Sequence, residues 1–188
     1  MYFFLVAFIV VSAQQPTKPE LPSQSVLRPS SEHFEGTIRQ SGGSPSSFSL
    51  KINEWSTNEE LRLLAAMPRT DYQMALANRL AQMQPKGSFR YRASEGFNIK
   101  VAQSFIDHSG NRTVEALSER GDRFVSDGMG ITYCPFALIV IHLDSKGNGS
   151  GKVFTASYIT FGSNGFIGTE VQSFRRFELL GVTSKAKY

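Results

Sequence analysis

For most of its length this chain alternates apolar and polar positions with a period of two. HFEGTIRQ puts Phe34, Gly36 and Ile38 on one face with polar neighbours between, and SGGSPSS then turns the chain. SFSLKINEW returns with Phe48, Leu50 and Ile52 on one face, which predicts a β-hairpin. The period then becomes helical. Ser56, with Glu59 three residues on, predicts a capping box and a helix carrying Leu61, Leu64 and Ala65 inward, stopped by Pro68. Thr70 and Gln73 predict a second box, followed by a stripe of Tyr72, Leu76, Leu80 and Met83 that ends at Pro85-Lys86-Gly87. The expected unit is a helical hairpin at about 56–84, inserted between strands.

After Gly87 the alternation resumes in FRYRA, FNIKVAQSF, RTVEAL, CPFALIVIHL, KVFTASYITF, FIGTEVQSF and FELLGVT, separated by short polar turns. Such spacing predicts an antiparallel meander. The glycine-rich span 120–133 predicts a loop, and no repeat appears at a solenoid or propeller period. The expected fold class is mainly β (α+β). It is an antiparallel β-barrel or β-sandwich over residues 32–184, with the helical hairpin packed on it or plugging it.

The ends of the chain add a destination. MYFFLVAFIVVSA is an apolar run too short to span a bilayer comfortably and ends in small residues, so it predicts a secretory leader cut before Gln14. The only positive charge ahead of its apolar run is the terminal amine. Residues 14–31 hold four prolines and read as an extended tether. A secreted or periplasmic protein is expected, with no transmembrane segment in the mature chain.

With 188 residues, 40% hydrophobic and 19% charged, the chain can bury one proper core. A net charge of +4 is too mild to imply a specific nucleic-acid partner without a localised patch. In FRYR, alternation turns Phe89 and Tyr91 to one side and Arg90 and Arg92 to the other, so bases and phosphates cannot both be met. Cys134 is the only cysteine, which excludes an intramolecular disulfide.

The stretch LDSKGNGSGKV, residues 143–153, offers three chemistries: a phosphate cradle, a calcium loop or a hairpin turn. A Walker loop needs its lysine after the glycines and a helix beyond, whereas Lys146 precedes them. A calcium loop needs several acids, and Asp144 stands alone. The glycines are therefore read as φ > 0 positions of a long turn between two strands. Cys134 and His142 would sit about 26 Å apart on a regular strand at ~3.3 Å per residue, too far for a nucleophile–base pair. His33 and His108 fall in no catalytic motif. Arg120-Gly121-Asp122 spells an integrin-type tripeptide, and Asn111 and Asn148 begin glycosylation sequons; neither signal is specific at this length.

FEGT, INEWSTNEELRLL, YCPFALIVIHLDSKGNGSG and the closing FELLGVT together resemble a group of small exported proteins of soil bacteria. That group's pattern is an F-x-G-T strand, a W-S-T-x-E-E helix start, Y-P-F leading to L-D-x-x-G-x-G-x-G, and a last strand ending in V. The likeness covers nearly all of residues 33–183, with Cys134 interrupting the Tyr-Pro-Phe. It implies bacterial export and carries no activity, ligand or catalytic residue.

No residue set for catalysis, a metal or a cofactor emerges. The expected function is a non-enzymatic binding module for a small apolar or lipid-like ligand, lined by Phe48, Leu50, Ile52, Phe97, Ile99 and Val101. The alternatives are a structural or interaction protein of the cell envelope, and a hydrolase using carboxylates such as Glu95, Glu115, Glu170 or Glu178.

Overall fold

The computed structural model describes residues 29–40, 42–68, 71–91, 96–119, 135–156, 158–162, 166–169 and 176–187. The expected leader, most of the tether, the loop at 120–133, Cys134, the Arg120-Gly121-Asp122 tripeptide, and Glu95 and Glu170 lie outside the described residues.

Among the described residues, eleven strands and two helices follow one another. They are β1 (Ser31–Gln40), β2 (Ser46–Ile52), α1 (Asn58–Ala65), α2 (Tyr72–Gln82), β3 (Gly87–Tyr91), β4 (Phe97–Ile99) and β5 (Val101–Ile106). Then come β6 (Arg112–Ser118), β7 (Phe136–Leu143), β8 (Asn148–Ala156), β9 (Ile159–Phe161), β10 (Ile167–Thr169) and β11 (Arg176–Lys187). Nine of the strands form one antiparallel sheet in the order β4-β3-β2-β1-β11-β8-β7-β6-β5. Its two edges, β4 and β5, are halves of a single strand bent at Lys100, so the sheet curls into a nearly closed barrel. The Ile99 carbonyl accepts from the Lys86 N–H on the β3 side, and the Lys100 N–H donates to the Leu117 carbonyl of β6. Of the two architectures the alternation allows, the chain adopts the barrel. KVFTASYITF, one run by pattern, breaks into β8 and β9, and β9 pairs only with β10 as a separate two-stranded flap.

Lys100 also changes the parity of the strand. Phe97 and Ile99 point into the barrel, but beyond the bend Ala102 belongs to the interior cluster and Val101 to a second one outside. Unbroken alternation would have put Val101 inside. The extra residue at the bend reverses every later side chain, because strand periodicity is two.

The interior is filled by aromatics from one half of the wall. Phe89 stacks with Phe48 at 5.8 Å and packs against Phe97 at 5.2 Å, while Tyr91 meets Phe177 at 6.3 Å. The other half contributes Ala102, Ala116 and Ala137 at buried inward positions. Gly149 and Gly151 belong to β8, correcting the expectation that they are turn residues. A methyl group on Gly149 would lie 1.8 Å from the His142 carbonyl oxygen, and one on Gly151 2.4 Å from that of Val140. They are glycines because β7 and β8 approach too closely for side chains. Only Gly147, at φ 80°, meets the positive-φ requirement in this stretch.

The helices pack on the barrel's outer wall and do not plug it. Leu64, Leu76 and Leu80 share a cluster with Val101, Leu117, Phe136 and Leu138, and with Ile159 and Ile167 of the flap. The capping box of α1 is Thr57 with Glu60, one residue later than expected. Ser56 is committed to the barrel, its N–H donating to the Ala102 carbonyl and its Oγ accepting from the Ala102 N–H. The N-cap of α2 is Asp71, left-handed at φ 53° and without a side-chain cap bond, and Thr70, the other half of the second expected box, lies outside the described residues. Gln73 instead grips the flap, its amide donating to the Ile159 carbonyl and accepting from the Ile159 N–H.

Two buried lysines fasten the hairpin. The Lys100 ammonium donates to the Ala81 and Met83 carbonyls, meeting the negative end of α2. Lys86 lies 2.6 Å from Glu54 and 3.0 Å from the capping Glu60. Burial works against the charge of Lys86, but its bonds to Glu54 and Glu60 outweigh that and hold its pKa above the usual lysine value.

Candidate functional site at the barrel mouth

Two of the tight turns joining barrel strands are built alike and sit together at one mouth of the barrel. Asp107-His108-Ser109-Gly110-Asn111 joins β5 to β6, and Asp144-Ser145-Lys146-Gly147-Asn148 joins β7 to β8. In each, the aspartate Oδ1 accepts from the backbone N–H groups two and four residues on. In each the glycine, at φ 80°, donates back to the aspartate carbonyl at 3.0 Å. The side chain thus satisfies donors that a tight reversal would otherwise leave open. Bonds from the Asn111 side chain first, and from backbone N–H groups, hold the Asp107 carboxyl below its ordinary pKa. The conspicuous stretch at 143–153 is one of this pair, with Asp144 spent on its own backbone. The shared D-x-x-G-N pattern is legible in the sequence once DHSGN and DSKGN are set side by side.

Between the turns opens a cavity of about 320 Å³, bordered by Ile106 and Leu143, Ser104 and Ser184, and the buried pair Glu32 and Arg112. Glu32 is fully buried at the start of β1, and Arg112 opens β6. Arg112 Nη1 donates to Glu32 Oε1 at 2.8 Å while Nη2 lies 2.7 Å from Oε2, and Ser184 Oγ also donates to Oε1. The guanidinium lies over the Trp55 ring at 5.2 Å, and the Trp55 indole N–H donates to the Pro29 carbonyl. Such a pair is tolerable under low dielectric because its charges cancel at contact distance and one hydrogen bond joins them. Sequence reasoning found neither partner. They stand 80 residues apart, and an alternating strand gives no signal that one polar position faces inward.

The residues singled out for ligand lining fall elsewhere. Phe48, Leu50, Ile52, Phe97 and Ile99 belong to the interior cluster, buried against one another, and Val101 lies beneath the helices. None of the six borders the mouth cavity; Phe48 borders a second recess of about 400 Å³ on the outer wall beside Gly36.

The described carboxylates do not assemble either. Glu178 is half exposed and pairs with Arg39 at 2.7 Å on the outer wall. Glu115 is buried on β6, accepting from the Gln103 amide at 2.7 Å and from the Ile167 N–H of the flap at 2.9 Å. Burial raises its pKa, opposed by those two bonds. His142 Nδ1 lies 3.1 Å from Thr113 Oγ1, and His33 Nε2 lies 2.8 Å from Ser49 Oγ. Among the described residues no group of three metal-ligating side chains occurs, and no helix is long and apolar enough to cross a membrane. Asn111 and Asn148 are both exposed at the mouth turns.

Comparison with known proteins returns no match, whether with family models, curated proteins or solved structures.

Proposed function

We propose that the protein is an exported, non-enzymatic binding module whose ligand site is the barrel mouth. One observation carries this reading. A cavity of about 320 Å³ is lined both by the buried polar groups of Glu32, Arg112 and Ser104 and by the apolar Ile106 and Leu143. That size is at the lower end for small-molecule sites, and a few fixed polar groups among apolar ones is their usual lining. The ligand is small and amphipathic: its apolar part meets Ile106 and Leu143, and its polar end meets Ser104, Ser184 and the Glu32–Arg112 pair. A purely apolar or lipid-like ligand in the barrel centre is less favoured, because eight strand positions give an interior that side chains alone can fill.

The test is native mass spectrometry of protein purified from its own host, run beside Ala186→Trp. Ala186 is an exposed residue bordering the cavity, so the indole blocks it without touching the core. A small molecule retained by the wild type and lost from A186W supports the site. Bare wild-type protein, or a molecule retained equally by A186W, overturns it and favours the structural or interaction role in the envelope.

A further inference from the structure

The flap formed by β9 and β10 is attached to the barrel in an unusual way. No ladder joins it to the nine-stranded sheet. It is held by Gln73 at Ile159, by Glu115 at Ile167, by stacking of Phe166 on Phe105 at 4.1 Å, and by the burial of Ile159 and Ile167. Of these ties only Glu115 can change charge. Its carboxylate is 3% exposed and accepts two hydrogen bonds from neutral donors, with no cation beside it among the described residues.

Among the described residues, the surrounding elements bring no compensating charge. On β5 its neighbour is Gln103, and the ammonium of Lys100 is committed to the end of α2. On β7 its neighbour is Val140, and His142 further along is bonded to Thr113. Just past the end of β6, Glu119 lies 3.9 Å from Lys100. The flap offers a backbone N–H, from Ile167.

We infer that Glu115 is a proton-operated latch: the flap is seated while Glu115 is protonated and is released as the carboxylate ionises. An ionised carboxylate under the flap is poorly solvated, whereas lifting the flap returns it to water. The sign follows from linkage. Closing the flap raises the affinity of Glu115 for a proton, so closure is fully favoured below the ordinary glutamate value of 4.5. It weakens as pH climbs to the raised value of the buried group, then levels off. Within that window one proton is coupled to opening, so the open fraction grows about tenfold per pH unit.

Hydrogen exchange of the full chain, expressed as protection factors at stepped pH, tests this on the amides of Ile159–Phe161 and Ile167–Thr169. The wild type should lose flap protection as pH rises while the barrel amides of β6 and β7 keep theirs, and Glu115→Gln should show a flat profile. A wild-type flap insensitive to pH, or a dependence that survives in E115Q, overturns the latch. A carboxyl carbon NMR titration of Glu115 in the wild type decides independently of the variant's folding. A midpoint above the ordinary glutamate value supports the latch, and one at or below it overturns it.

Discussion

The barrel interior and the layer beneath the helices are equally dry, but they are sealed by different means. Inside, every wall strand is laddered to its neighbours, and the one deeply buried carboxylate, Glu32, is matched by Arg112. Outside, the polar ties of the helices and the flap run through single side chains: Lys86, Lys100 and Glu115 to the barrel, and Gln73 between α2 and the flap. There the buried carboxylate has no countercharge among the described residues. A ladder fails only cooperatively, whereas side-chain ties can be broken one at a time. The outer layer is therefore where local opening begins, and the interior sets global stability.

Stability and exchange experiments probe that contrast. Arg112→Ala has the largest expected effect, because it leaves Glu32 charged and alone inside the barrel; the cost should be ~3–5 kcal/mol in urea unfolding. Replacing both, as Glu32→Leu with Arg112→Met, should recover most of that stability while changing the polarity of the mouth. A double variant as unstable as the single would show that the pair also shapes the barrel. Leu76→Ala comes next, at ~2–5 kcal/mol, since this side chain is fully buried between α2 and the outer wall. A cost near that of a surface change would show that the outer layer is not coupled to the barrel.

Lys100→Met should cost about 1–3 kcal/mol, the usual penalty for leaving polar groups unmet. Its signature is local: amides of α2 exchange faster while those of β7 do not. Thr57→Ala removes the cap of α1 and should cost ~1 kcal/mol, read as a small drop in melting temperature. The smallest expected effect is none. Neither calcium nor ATP should raise the melting temperature, because Asp144 is spent on its own turn; a clear rise with either would return a ligand to residues 143–153.

How far the alternation could be read depended on what each residue answers to. Phe34, Ile38, Phe48, Leu50 and Ile52 face inward as their spacing indicates, and Phe89 is buried while Arg90 is exposed. Where reading failed, a distant partner had claimed a local signal. Ser56 looks like a cap but bonds Ala102, 46 residues away, so Thr57 caps instead. Gln73 looks like the end of a capping box but holds Ile159, 86 residues away. The glycines of 149–151 look like a turn and are strand, because the carbonyls they must clear belong to β7.

The chain by itself determined its local geometry: the period of two and where it yields to helix, the D-x-x-G-N reversals, and which large side chains leave water. These depend on neighbouring backbone sterics and on burial, both encoded within a few residues. Only the tertiary structure decided that the sheet closes, that closure bends the strand at Lys100 and turns Val101 outward, and that Glu32 finds Arg112 while Glu115 finds Gln103 and the Ile167 N–H. Those outcomes depend on register between strands tens of residues apart. Alternation fixes which face a side chain takes, but not which residue of another strand it will meet.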